Sequence, residues 1–248
     1  MRIAVVGATG QIGTRTVAAL ERAGHDAVRI SRSLGVDVYA GTGLAGALEG
    51  VDAVVDSSNT SSTDRAEVLD FFTTSTANLL DAERAAGVRH HVLLSIVGID
   101  RGQRNFHYDG KRAQERLVTE GPVPWTILRA TQFHDFAETA VGWTEQDGSA
   151  TVAPLLIQPV APADVADVLA ELATGEPHLG RIELAGPQTE DLVDMARRAL
   201  AARGRAVRLV PTWRGRFDVS MAGEVQLPGD GARIGPTSFD DWLADGMR

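Results

Sequence analysis

The 248-residue chain contains no cysteine, so it can build no disulfide framework and offers no thiolate as nucleophile or metal ligand. That absence fits a reducing, cytoplasmic setting and leaves any redox chemistry to a bound cofactor. No apolar run is long enough for a signal peptide or a membrane span, because the chain opens Met1-Arg2-Ile3 and reaches a glycine turn at Gly7. Basic residues are in the minority, 24 Lys and Arg against 33 Asp and Glu, and the formal charge of −9 repels a polyanion, which argues against nucleic acid and acidic membranes as partners. Proline is missing from the first 121 residues, whereas Pro154, Pro159, Pro162, Pro177 and Pro187 crowd together later and predict a more irregular C-terminal part. With hydrophobic residues at 44% and charged residues at 23%, the chain can bury a substantial core.

Short β-branched runs alternate with longer helical patterns. Strands are predicted at 3–6, 27–30, 53–55, 91–94 and 125–128, with helices at 14–23, 64–86 and 107–119 between them. Such strands, apolar on both faces and separated by helices, belong to a parallel sheet covered on both sides, an α/β fold. Gly24, Gly87 and Gly121 each follow a helical pattern, where a left-handed residue closes the last turn. Further along, helices are predicted at 163–173 and 189–202 and strands at 181–185 and 206–210. There is no internal repeat and no low-complexity tract.

The most informative stretch is Gly7-Ala8-Thr9-Gly10-Gln11-Ile12-Gly13, between a buried strand and an amphipathic helix. Gly7 allows a tight exit from the strand, Gly10 lets the backbone approach a pyrophosphate, and Gly13 lets the helix lie close to the sheet. Backbone N–H groups of Thr9 to Ile12, together with the positive helix end, then bind the phosphates. The plainer alternative is an ordinary βα turn. The second strand runs into Ser31-Arg32-Ser33, with no carboxylate to accept from a ribose 2′-hydroxyl, so NADP(H) is favoured over NAD(H), with Arg32 on the 2′-phosphate. Otherwise Arg32 is a solvated surface charge. Asp37-Val38 is expected beside the adenine, and Ser57-Ser58-Asn59 beside the ribose and pyrophosphate.

Taken with GATGQIG at 7–13, the segments NLLDAERAAGV at 78–88, LLSIVG at 93–98, HYDGKRAQERLV at 107–118, RATQF at 129–133 and PVAPADVADVL at 159–169 make the chain resemble the NmrA-like, atypical branch of the short-chain dehydrogenase/reductases. The resemblance spans nearly the whole chain. It implies a Rossmann-type doubly wound parallel sheet at 1–130 that binds NAD(P), and a small C-terminal substrate-binding lobe at 131–248 packed on it. It does not imply one reaction, since members include reductases, isomerases and regulators that turn nothing over. Active members carry Tyr-x-x-x-Lys on the helix after the LLSIVG strand, the tyrosine donating a proton and the lysine holding the nicotinamide ribose. Here Lys111 matches the lysine, His107 stands four residues before it and Tyr108 three. Both share a helix face with Lys111, but they diverge from each other by about 100°, so only one of them can take the tyrosine's place. A histidine is partly protonated near neutrality and can donate to a developing alkoxide; water or the substrate can also supply the proton. The family serine is matched by Ser95, followed by apolar Ile96-Val97; its role is either a hydrogen bond near the nicotinamide or a structural one at the strand end. Phe72 falls where some relatives carry asparagine.

The strand ending at 128 leads into Arg129-Ala130-Thr131-Gln132-Phe133-His134-Asp135, and carboxyl ends of strands line the ligand crevice in open α/β sheets. Backbone groups of Ala130, Thr131 and Gln132 are therefore expected at the nicotinamide carboxamide, and Phe133, His134, Phe136 and Trp143 at the substrate. His134 also reads as a packing histidine, and His90-His91 as structural. No metal site is supported, since no set of residues has ligand spacing. Two functions follow. The first is an NADPH-dependent reductase delivering hydride to a carbonyl or quinone of a small, polycyclic aromatic substrate. The second is a non-catalytic NADP(H)-binding redox sensor. The oligomeric state is left open.

Overall fold

The computed structural model describes residues 1–102 and 105–246. In chain order the elements are β1 (Arg2–Val6), α1 (Gln11–Arg22), β2 (Asp26–Ile30), α2 (Leu44–Ala47), β3 (Ala53–Asp56), α3 (Arg65–Ala86), β4 (His90–Ile96), α4 (Phe106–Glu120) and β5 (Trp125–Ala130). They continue with α5 (Phe136–Gly142), β6 (Ser149–Val152), β7 (Leu156–Ile157), α6 (Pro162–Thr174), β8 (Arg181–Ala185), β9 (Glu190–Asp191), α7 (Leu192–Ala202), β10 (Arg208–Pro211), β11 (Arg233–Ile234) and α8 (Phe239–Asp245). Seven strands form one parallel sheet in the order β11-β8-β5-β4-β3-β1-β2, a Rossmann-type arrangement. The order reverses at β1, which pairs with β2 on one side and with β3 on the other. A reversal of this kind opens a crevice at the carboxyl ends of the strands.

The chain divides into two compact units. The first comprises Met1–Ile96, Phe106–Arg129 and Pro162–Ile182; the second comprises Val97–Asn105, Ala130–Ala161 and Glu183–Arg248.

In the first unit, β1 is buried from Ile3 to Val6 and β3 along its whole length, as expected for strands covered on both faces. Ala4, Val6, Val54, Leu93 and Ile127 pack with Leu79 and Leu80 of α3 and Val118 of α4 in one apolar cluster. Each fully buried Leu, Ile or Val contributes about 1.5–3 kcal/mol relative to exposure. Asp64 caps α3, its side chain accepting from the N–H groups of Ala66 and Glu67 at 2.9 and 3.0 Å. Gly24 and Gly87 close α1 and α3 in the left-handed region, at φ +80° and +74°. Gly121 does not take the left-handed conformation expected for it; its N–H reaches Val118 O at 3.3 Å without a reversal of φ.

In the second unit β6 and β10 pair in parallel, β7 and β9 pair antiparallel, and α7 starts from Asp191, whose side chain accepts from Asp194 N at 2.9 Å. The expected helix at 189–202 therefore begins at Leu192, its first residues being taken by β9.

Candidate functional site: the glycine turn and the buried lysine

The carboxyl end of β1 turns sharply at Gly7, where φ is +77° and a Cβ would stand 2.9 Å from Ser57 O. The N–H groups of Gly7 and Ala8 both donate to Ile30 O, at 3.0 and 3.2 Å, which pins the turn to the end of β2. Ser57 ties the end of β3 to the same place, its hydroxyl donating to Val6 O at 2.7 Å. Gly13 is the tightest position: a Cβ there would lie 2.1 Å from Gly7 O, so only glycine lets α1 start directly beneath the turn. Thr9, Gly10 and Gln11 are exposed at its lip, while Ile12 and Gly13 are buried. Gly10 gives α1 no side-chain cap and the first turn holds no acidic residue. The result is a short exposed stretch, residues 9–11, at the positive end of a twelve-residue helix, the end that favours a diphosphate, although the expected Gly10 N–H is turned inward and donates to Gly7 O at 2.8 Å.

Beyond β2, Arg32 is exposed on a short helical turn, and no ion pair or hydrogen bond among the described residues engages its guanidinium. Ser31 and Ser33 join hydroxyl to hydroxyl at 3.0 Å. Asp37 turns inward on its own loop, accepting from Tyr39 N at 2.8 Å and Ala40 N at 3.3 Å, and Val38 is buried beneath it. Asn78 on α3 holds that loop by donating to Val38 O and Tyr39 O, at 3.1 and 2.8 Å. After β3, Ser58 N donates to Asp56 Oδ1 at 2.8 Å, and Asn59 stays at the surface.

Lys111 on α4 is 5% exposed, and its Nζ donates to Leu94 O at 2.8 Å and to Gln114 Oε1 at 2.6 Å. Gln114 in turn donates from Nε2 to Asp56 Oδ2 at 3.0 Å, so a buried carboxylate, an amide and an ammonium lie in line. The Phe72 ring closes the site, 4.9 Å from Lys111 Nζ, and makes an edge contact with the His107 ring at 5.4 Å. Burial pushes the Lys111 ammonium down to about 8, against the pull of Asp56 and Glu115 in the other direction. His107 is half-buried and Tyr108 buried. His107 therefore shares both a helix face and an aromatic neighbour with Lys111.

A second buried group adjoins on the same helix. Glu115 accepts from Ser95 Oγ at 2.6 Å, from Arg129 at 2.8 and 2.7 Å, and from Arg181 Nε at 2.8 Å. The Ser95 hydroxyl is thus already donated within the first unit. At the opposite end of β4, His91 Nδ1 meets both carboxylate oxygens of Glu83, at 2.9 and 3.1 Å, and His90 Nε2 meets Thr126 Oγ1 at 2.9 Å.

The remaining candidates fall in the second unit. Ala130 O accepts from Val97 N at 2.9 Å, Thr131 Oγ1 donates to Gln158 O at 2.6 Å, and Gln132 Nε2 donates to Gln226 Oε1. Phe133 pairs with Val160 in an isolated bridge. His134 is buried with Nε2 3.1 Å from Thr237 O and its ring against Phe239 and Trp242, the surroundings of a packing histidine. Phe136, Trp143 and Phe217 form an aromatic trio with centroids 5.7 to 6.3 Å apart, and the Arg216 guanidinium lies 4.2 Å from the Trp143 ring centre.

Sequence reasoning missed Asp56, Gln114, Glu115, Arg129 and Arg181. It also missed a signal that was available: Lys111 is the single lysine of the chain, beside 23 arginines. Among the described residues no group of three or more His, Asp and Glu can hold a metal ion, and no helix is long and apolar enough to cross a membrane.

The sheet order and the glycine turn define a Rossmann-type dinucleotide-binding fold. The chain belongs to the NAD(P)H-binding family, whose sequence pattern matches residues 7–176. It is 29% identical over 147 residues to the photosystem II assembly factor Ycf39 of Synechocystis, a match taking in 54% of this chain and 45% of that one. The chain thus matches less than half the length of this curated relative. Among solved structures, an NADPH-dependent quinone oxidoreductase of Escherichia coli bound to NADPH superposes with a TM-score of 0.67 at 21% identity, over 85% of this chain and 78% of the other. A dTDP-4-dehydrorhamnose reductase of Bacillus anthracis bound to NADP superposes with a TM-score of 0.74 at 16% identity, over 98% and 96%. At such identities these likenesses speak to the fold.

Proposed function

We propose that the protein is an NADPH-dependent reductase acting on a carbonyl or quinone of a small aromatic substrate. The observation that carries this reading is the pairing, within one unit, of a glycine-built phosphate turn at Gly7–Gly13, Cβ-free at Gly7, Gly10 and Gly13, with a buried ammonium at Lys111. When bound, NADPH supplies a hydride to the acceptor carbon. The chain's own residues do the rest. The turn and the α1 N-terminus hold the diphosphate, and the exposed Arg32 matches a 2′-phosphate, a charge-assisted contact that an NADH ribose lacks. An ammonium has three N–H donors. Lys111 directs two of them to Leu94 and Gln114 and keeps one for a ribose hydroxyl. His107, one helical turn before Lys111 and steadied by Phe72, is the group we assign to deliver the proton to the substrate oxygen, in place of a tyrosine. The aromatic trio suits a flat ring system.

The quinone reductase neighbour supports this substrate class. A second reading, an NADP(H)-binding regulator without turnover, is favoured by one observation: the Ser95 hydroxyl is already committed to Glu115. The similarity to an assembly factor points the same way. Calorimetry with NADPH and NADH, followed by NADPH consumption against a panel of quinones and polycyclic ketones, separates the two. Consumption with at least one acceptor is expected. Tight binding with no consumption establishes the regulator, and no binding of either coenzyme removes both readings. Arg32→Glu is expected to weaken NADPH by about 10- to 100-fold and leave NADH unchanged.

A further inference from the structure

A chain that uses arginine at 23 of its 24 basic positions keeps one lysine, and that lysine is buried. Positive charge alone does not account for the choice. A guanidinium is planar and always charged, whereas an ammonium is compact, directs its donors tetrahedrally and loses its proton readily when buried. The pocket of Lys111 is built for the compact group: the Leu94 carbonyl and the Gln114 amide oxygen within 2.8 Å, the Phe72 ring at 4.9 Å, and, among the described residues, no carboxylate in hydrogen-bond contact. The nearest anions reach it indirectly. Asp56, at the end of β3, is 1% exposed and touches Gln114, while Glu115, on α4 itself, is occupied by Ser95, Arg129 and Arg181. From α3 the Phe72 ring faces the ammonium and Glu83, paired with His91, acts on Asp56 through its charge, while His107 lies one turn earlier on α4.

We propose that Asp56 and Gln114 are positioning residues for Lys111, the Asp56 carboxylate fixing the Gln114 amide so that its oxygen faces the ammonium and holds it charged and aimed. The inference rests on the reading of Lys111 as a cofactor ligand. Its logic is one of donors and acceptors. Asp56 Oδ1 is taken by Ser58 N and Oδ2 can only accept, so Gln114 must present Nε2 to it and Oε1 to Lys111. In Asp56→Asn, Oδ1 still accepts from Ser58, but Nδ2 now faces Gln114. The amide then flips and turns its own N–H groups on the ammonium, and the balancing negative charge is gone. Both changes disfavour the charged lysine.

The test uses the single lysine. Protein carrying 13C-lysine gives one side-chain signal, whose titration midpoint is expected near 8 in the parent chain. In Asp56→Asn and in Gln114→Leu the midpoint is expected to fall by about one unit or more, since loss of one near opposite charge or acceptor typically shifts a buried group by that much. NADPH affinity, measured on the same proteins, is expected to drop about tenfold at about pH 8 while staying near the parent value at about pH 6, a pH dependence that general loosening of the fold would not produce. If either variant fails to fold, the other carries the measurement, and Gln114→Asn is expected to restore part of the midpoint. An unchanged midpoint in the folded variants overturns the inference, whatever NADPH does. A shifted midpoint in a chain that binds no NADPH supports the Asp56–Gln114–Lys111 arrangement and removes the cofactor reading instead.

Discussion

Glu115 on α4 and Arg129 on β5 meet as a two-pronged pair, Nε to Oε1 at 2.8 Å and Nη2 to Oε2 at 2.7 Å, with side chains only 3% and 11% exposed. Ser95 and Arg181 add their hydrogen bonds to the same carboxylate. Taking these charges out of water is costly, and the pair persists because each prong is satisfied; removing one partner leaves the other buried and uncompensated.

Glu115→Ala is therefore expected to lower the unfolding free energy by about 3–5 kcal/mol, read by urea denaturation near neutrality. Burial pushes the Glu115 carboxyl up, but the bonds from Arg129, Ser95 and Arg181 outweigh it and hold the group below its usual 4.5. A depressed carboxylate contributes stability that is present above 4.5 and lost as pH falls through its folded value. The gap between parent and variant should thus close on acidification, and a gap independent of pH would count against this assignment.

The His91–Glu83 pair, with neither side chain exposed, runs the other way. Burial pushes the imidazole down, yet Glu83, aided by Asp56, wins and holds it above 6.5. A raised histidine contributes stability that is full below 6.5 and lost as pH rises through the folded value. Proton NMR of the His91 ring should show a midpoint above 6.5, and Glu83→Gln should bring it below, because the burial remains and the countercharge does not. A midpoint that stays put in the variant would show that Glu83 is not the cause.

Gly13→Ala places a methyl 2.1 Å from Gly7 O, so α1 must retreat or the turn must open. The expected cost is about 1–3 kcal/mol in stability or more, with at least about tenfold loss in NAD(P)H affinity. Gly24→Ala at the far end of α1 is the control: φ there is +80° but nothing lies within 4 Å, so about 1–2 kcal/mol should be lost with cofactor binding intact. Equal cofactor loss in both variants would mean that the turn is not the binding element.

For the proton donor, His107→Phe should lower kcat by about 10²-fold or more while Tyr108→Phe does little. The reverse pattern assigns the proton to Tyr108, and two silent variants point to water or to a substrate hydroxyl.

Elements with a repeating apolar pattern were legible within a residue or two: helices expected at 64–86, 107–119 and 163–173 form at Arg65–Ala86, Phe106–Glu120 and Pro162–Thr174. The second unit was legible only in part: the helix expected at 189–202 and the strand expected at 206–210 form at Leu192–Ala202 and Arg208–Pro211, but its shorter strands were not foreseen. Its strands β7, β9 and β11 are two residues long, too short to show a period, and β6 exists because Ser149 aligns with Arg208 far along the chain. In α4 the motif pointed to Lys111, but Gln114 and Glu115 look like ordinary polar residues of an amphipathic helix. Only packing shows them buried.

The glycine turn could be read from the chain alone because its requirements are local: a positive φ at Gly7 and a Cβ-free contact between Gly13 and Gly7 involve residues six apart. The charge partners could not. Asp56 is 58 residues from Gln114 and Arg181 is 66 from Glu115, and burial, which makes such pairing obligatory, belongs to no residue until the sheet and its covering helices have assembled.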